Sequence, residues 1–305
     1  MFGLFIEKKF WSIILSMKKF VLSLLILFAF IKPSYALDKS NFYFLNSQNR
    51  EIRAVKKVLT SQVKYANKEN FNKFISTFDE KYTNSDGFNL DTYSSLIKDI
   101  WESYEKITYK IEIKKVDIKD NTATVEAYEN SYANLIAEKI YLGELRSDAK
   151  TIYHLKKNKN GKWKLVYDNI IEETSSILYG NARGLDIKLS VPNNIEANTD
   201  YTATLEFTPP KNTLAIASLA CDKVEYPQAK TKEVFRTLPE DNILERIFTS
   251  NNDNANEYIV ASIGLTKTTI SDLNIRLNLT GFGYTVKRVN VIHEKKGQNS
   301  ENDNN

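Results

Sequence analysis

Near residue 107 the spacing of apolar residues changes from every three or four positions to every second one, and this switch constrains the chain more than any other feature. Before it, one-sided helices are expected. After it, strands are expected almost to the end. Ile52, Val55, Leu59, Val63 and Ala66 mark one face of a helix over about 47–66, and Phe71, Phe74, Ile75 and Phe78 mark a second, shorter one. After a polar turn around Asn84 to Gly87, a third helix starts at Asn89 or Asp91 and carries Tyr93, Leu96, Ile97, Ile100, Trp101 and Tyr104 inward. Ile107, Tyr109, Ile111 and Ile113 then alternate with polar residues, as do Ala123, Val125 and Ala127 beyond the Lys119-Asp120-Asn121 turn. Strands over about 149–157 and 162–171 form a hairpin at Lys159-Asn160-Gly161, with Leu155 facing Leu165 and Tyr153 facing Tyr167. A slip of one residue would reverse the faces.

From residue 185 the pattern is nearly all β. Leu185 to Val191, Tyr201 to Phe207 and Leu273 to Leu279 alternate, and turn clusters at Pro192-Asn193-Asn194, Pro209-Pro210 and Asn251 to Asn254 separate the runs. A helical turn or two is expected at Glu240 to Phe248, and a hairpin tip at Gly281-Phe282-Gly283-Tyr284. The fold class expected is α+β: three helices on a curved antiparallel sheet, followed by a β-sandwich similar in architecture to immunoglobulin domains.

The start of the chain carries an address. Lys18 and Lys19 after Met17, the apolar run Phe20 to Ile31, and Ser34-Tyr35-Ala36 follow the order of a secretory signal peptide. About a dozen apolar residues fall short of the roughly twenty that a membrane-spanning helix needs. The expectation is export to a periplasm or the extracellular space after cleavage at Ala36. Membrane attachment is expected only if the leader stays uncut, which the apolar residues before Met17 would favour. The divisions expected are 1–36 leader, 37–46 linker, 47–178 first domain, 179–184 linker, 185–293 second domain and 294–305 a polar, disordered tail.

Removing residues 1–36 takes away five lysines and one acid and leaves thirty-seven residues of each sign, so electrostatic capture of nucleic acid has no basis. Cys221 is the single cysteine, which excludes an intrachain disulfide and suits a buried strand position. With two histidines and no clustered ligand spacing, no metal site or cofactor is expected.

Three helices followed by a curved meander, with Gly161-Lys162-Trp163-Lys164-Leu165 entering its last strand, resemble the nuclear transport factor 2-like superfamily over about 47–178. The resemblance implies a cone with a pocket at its wide end. Its members include dehydratases, isomerases and non-catalytic binding or dimerisation modules, so fold alone does not choose among them. Of candidate acid–base residues, His154 and Asp168 lie diagonally on one sheet face in the register above, and Tyr128 on the next strand could add a hydroxyl. The alternative places both on the solvent side of a polar hairpin. Phe71, Phe74, Phe78, Trp101, Tyr104, Tyr153 and Tyr167 could wall a pocket for a small apolar ligand, or serve as core. The leading expectation is an exported, non-enzymatic protein that binds a small ligand, a protein partner or a second copy through the cone sheet. A small lyase or isomerase using His154 with Asp168 is the rival.

Overall fold

The structure, a computed structural model, describes residues 39–104, 106–137, 141–253, 255–271 and 274–292; the leader expected at 1–36 and the tail expected at 294–305 lie outside them. The chain divides into two compact units, Met1–Arg50 and Glu51–Asn305. Of the first, the opening turns of helix α1 (Lys39–Ala66) are described, so residues 39–46 are helix where a linker was expected. No described helix is long and apolar enough to cross a membrane.

In the second unit the elements follow in the order α2 (Phe71–Ile75), β1 (Phe78–Asn84), α3 (Leu90–Ser103), β2 (Thr108–Lys119), β3 (Thr122–Ala137), β4 (Tyr141–Lys157) and β5 (Trp163–Gly180). A 3-10 turn (Asn181–Gly184) leads into β6 (Lys188–Ser190), β7 (Asn194–Glu196), β8 (Asp200–Glu206), β9 (Leu214–Lys223), β10 (Arg236–Thr237), β11 (Ile243–Thr249), β12 (Glu257–Ser271) and β13 (Asn274–Ile292).

The phenylalanine stripe expected on one helix is divided. Helix α2 is capped by Asn70, whose side chain accepts from the Lys73 N–H at 3.2 Å. It stops after one turn because the Ser76 and Thr77 hydroxyls bond back to the Lys73 and Phe74 carbonyls, at 2.8 and 2.7 Å. Phe78 therefore opens a strand, β1, which pairs in parallel with β5 and buries Phe78, Tyr82 and Asn84. Helix α3 begins as the sequence indicates, with the Asn89 side chain accepting from the Thr92 N–H at 2.9 Å.

The helices and β1–β5 enclose a core that includes Val55, Leu59, Phe74, Phe78, Val125, Tyr153, Leu155, Trp163 and Leu165. Strand β5 then runs on past this first lobe. Its later residues pair with β13, so the large sheet continues through both lobes in the order β10-β9-β12-β13-β5-β4-β3-β2. Residues 179–184, expected as a linker, are the end of β5 and the 3-10 turn. The close approach depends on glycine. Gly180 has φ +57° and a Cβ there would lie 2.4 Å from the Thr280 carbonyl oxygen; at Gly283, with φ +154°, a Cβ would lie 2.1 Å from that of Ile177. Gly281 to Tyr284 is thus the interior of β13 rather than a hairpin tip, and Phe282 stacks on Tyr179 at 4.9 Å.

In the second lobe a three-stranded sheet, β11-β8-β6, packs over the large sheet around Tyr201, Ala203, Leu205, Phe207, Leu219, Ile259, Ile263 and Leu265. The helical turn expected at 240–248 is strand β11, held by pairing with β8 from Ile243↔Glu206 to Thr249↔Asp200. Between the lobes the Arg288 side chain, on β13, is fully buried. Its guanidinium pairs with Asp86 in the turn after β1, and its Nε donates to Asn290 at 2.8 Å.

Candidate functional site

The first lobe holds a cavity of about 180 Å³ between the helices and the inner face of the sheet. Two carboxyl groups face it, Asp168 from β5 and Glu129 from β3, among the rings of Phe74, Tyr93, Trp101, Tyr109 and Tyr153.

A β-bulge puts Asp168 there. Leu155 pairs with Leu165 as the sequence suggests, but His154 pairs with Tyr167 and Tyr153 with Asp168, so Val166 is left without a partner. One extra residue reverses the faces beyond it. Asp168 turns inward to 7% exposure, and its Oδ2 accepts the Tyr82 hydroxyl at 2.6 Å. Burial pushes its pKa up to about 7; the hydrogen bond from Tyr82 opposes that rise and the nearby Glu129 charge adds to it.

Glu129 continues the inward positions of β3 after Ala123, Val125 and Ala127. Its carboxylate accepts the Tyr153 hydroxyl and, at 3.3 Å, that of Thr151. Burial raises its pKa, against the pull of those two hydrogen bonds. Tyr93 has its hydroxyl pKa raised by burial and by the charges of Asp168 and Glu129, and it has no hydrogen-bond partner among the described residues. Gln62, on the buried stripe of α1, lines the same cavity at 8% exposure and also lacks a partner among them.

The pairing of His154 with Asp168 is not formed. His154 lies on the opposite face of the sheet, its Nδ1 3.4 Å from the Thr124 hydroxyl and its ring 5.5 Å from that of Tyr167. Tyr167 and Tyr128 share that outer face, Tyr128 at 39% exposure with the ammonium groups of Lys114 and Lys150 at 5.3 and 5.8 Å from its ring. Of the other aromatic candidates, Phe74, Trp101 and Tyr153 line the cavity. Phe78 is core behind it, against Phe74, Tyr82 and Tyr93. Phe71 flanks Trp101 from outside under Lys98. Tyr104 packs in a separate cluster with Ile107 and Ile177.

Glu129, Tyr93 and Gln62 are the site residues that the sequence reading missed. Each carried a signal: a glutamate in inward register on an Ala-Val-Ala strand, a tyrosine on the inner face of α3, and a glutamine amid a helix's apolar stripe. Elsewhere, Cys221 is half-buried, 3.6 Å from the Tyr201 hydroxyl, and burial pushes its thiol up to about 12, which makes it a poor nucleophile. Among the described residues no group of three or more His, Cys, Asp or Glu side chains is placed to hold a metal ion.

No family model and no curated protein matches the chain. Among solved structures, it is similar to that of Bdellovibrio bacteriovorus Bd1075, at 13% identity and a TM-score of 0.33, over 41% of this chain and 41% of that one. It is also similar to a nuclear transport factor 2-like protein with a cystatin-like fold from Novosphingobium aromaticivorans, at 12% identity and a TM-score of 0.36, over 45% of this chain and 90% of that one. The first lobe has the element order expected from its sequence, helices followed by a long antiparallel meander. A protein of unknown function with a cystatin-like fold from Nostoc punctiforme is similar at 15% identity and a TM-score of 0.31, over 38% and 86% of the two chains. These likenesses concern fold and carry no argument about activity.

Proposed function

We propose that this is an exported small-molecule-binding protein, in which the nuclear transport factor 2-like lobe holds the ligand and an immunoglobulin-like lobe serves as a contact module. The observation that carries the binding reading is the cavity itself: it is lined by aromatic rings and by two polar side chains, the buried Gln62 and the half-buried Tyr93, that have no hydrogen-bond partner among the described residues. Buried polar groups cost free energy unless they are hydrogen-bonded, so a cavity that keeps them suits a polar occupant. Native mass spectrometry of the purified chain beginning at Leu37 tests this. A retained or added small molecule that is lost in a cavity-filling variant, Ala66→Phe, supports binding; an empty protein that takes up nothing from a fragment set ends the reading.

The immunoglobulin-like part draws its support from strand order. Strands β6, β8 and β11 form one sheet and β10, β9, β12 and β13 lie side by side in the other, with β7 parallel to the last strand. Export rests on the leader pattern alone, and secretion of the tagged full chain from a bacterial host tests it. A second copy docking on the outer face of the cone sheet, where Tyr128 and Tyr132 are each 39% exposed, is checked by sedimentation.

Acid–base catalysis in the same cavity is a second reading, favoured by an Asp168 carboxyl that titrates at about 7, where it can both take and give a proton. Enzyme-dependent deuterium exchange next to the carbonyl of small ketones, abolished in Asp168→Asn, would establish it. No exchange across a ketone panel would set it aside.

A further inference from the structure

We propose that the ligand of this cavity is a small primary ammonium compound whose apolar part is about the size of one six-membered ring. The inference deepens the binding reading above and rests on it.

Size comes first. A cavity of about 180 Å³ is close to the engineered apolar cavity of about 150 Å³ that accepts benzene. A steroid-sized or multi-ring ligand would not be held wholly inside that volume.

Charge comes second. Asp168 and Glu129 face one partly open pocket, and Lys110 is the only basic residue among the described residues that line it. Lys110 is exposed, and Arg288, which lies behind the turn after β1, is already paired with Asp86. The cavity therefore has two acids and no internal cation. Burial raises the pKa of both, and the charge of Arg288, which is committed to Asp86, offsets that rise at Asp168 only in part. A cation brought between them favours the ionised forms and recovers that penalty, a neutral guest leaves the penalty in place, and an anion adds to it.

Hydrogen bonding and the walls come third. An ammonium group has three N–H donors and no acceptor. The Asp168 oxygen that Tyr82 does not reach, the Glu129 carboxylate and the unpartnered Gln62 side chain supply acceptors on the cavity lining. Tyr93, Trp101, Tyr109 and Tyr153 present aromatic rings, whose faces attract cations. Gln62 is the observation independent of the acids: a polar side chain more than nine-tenths buried, lining the cavity, with no hydrogen-bond partner among the described residues.

The test uses three probes of one shape, benzylammonium, benzyl alcohol and benzoate, titrated calorimetrically into the purified chain and into Glu129→Gln and Asp168→Asn variants. Folding of each variant is checked by circular dichroism, and its affinity for benzyl alcohol reports whether the cavity is intact. The expected result is at least tenfold tighter binding of benzylammonium than of benzyl alcohol, benzoate weakest, and a preference that shrinks several-fold in each folded variant. If the alcohol binds as well as the ammonium, or the preference survives in both variants, the ammonium inference falls while the cavity remains a binding site. If none of the three binds the parent protein, the ammonium inference falls, and the fragment-set experiment above decides the binding reading on its own.

Discussion

The two lobes bury acidic side chains in opposite ways. In the second lobe Glu257 is 2% exposed, and its carboxylate accepts from the Tyr201 hydroxyl at 2.8 Å and from the Asn251 N–H and side-chain amide at 2.7 Å each. The core of that lobe is filled by Leu205, Phe207, Ile259 and Leu265. In the first lobe Asp168 and Glu129 border a cavity, beside a glutamine and a tyrosine hydroxyl that have no partner among the described residues. A buried acid whose neighbours all point at it fixes a loop. One whose neighbours leave space is available to something else.

The largest effect expected from breaking this contrast lies at the junction of the lobes. Arg288→Met removes the guanidinium and leaves the buried Asp86 carboxylate, among the described side chains, only the Asn256 amide at 2.7 Å to answer its charge. Breaking a buried ion pair from one side costs about 3–5 kcal/mol, which denaturant unfolding would read as a lower midpoint. An unchanged midpoint would mean that this pair does not hold the lobes. Removing a satisfied acid comes next. Glu257→Ala strands a tyrosine hydroxyl and two Asn251 donors, and a loss of about 3 kcal/mol is expected.

For the cavity acid the sign differs. Folded Asp168 holds its proton up to about pH 7, whereas unfolded it releases it near 3.8. Between those values the folded state binds the extra proton, so stability falls as pH rises through the window and levels off above it. The shift corresponds to at most about 4 kcal/mol. Asp168→Asn should flatten that dependence and leave the protein at pH 8 as stable as the parent or more so, provided that Tyr82 keeps its hydrogen bond to the amide oxygen. A variant much weaker at pH 8 would show that Asp168 is structural, as Glu257 is, and would erase the distinction between the lobes.

These sites differ in how far the sequence discloses them. The element order of the first lobe is legible because helical and strand periods are local: Asn89 caps α3 as its position suggests, and the β3 alternation points Glu129 inward. The fate of Phe78 is not, since Ser76 and Thr77 end a helix only when their hydroxyls turn back on it. The union of β5 with β13 pairs residues about a hundred positions apart, and the glycines that permit it read equally well as a hairpin tip. The bulge at Val166 is the costliest omission. Valine and tyrosine both suit a strand, so nothing local marks the unpartnered residue, yet it decides which face Asp168 occupies.

That bulge supplies the smallest expected effect and a sharp test of the register. His154 sits on the outer face, with the Thr124 hydroxyl 3.4 Å away and the Tyr167 ring alongside, and contributes nothing to the cavity lining. His154→Ala should change stability by no more than about 0.5 kcal/mol, the usual range for a surface substitution, and leave ligand affinity unaltered. Tyr153→Phe, one residue away, removes a hydroxyl that donates to Glu129 and should weaken binding of an ammonium probe while keeping the ring. If instead His154→Ala abolished binding and Tyr153→Phe did not, His154 and not Tyr153 would face the ligand; the strand would lie one residue out of its described register, and the site would return to the pair read from a regular hairpin.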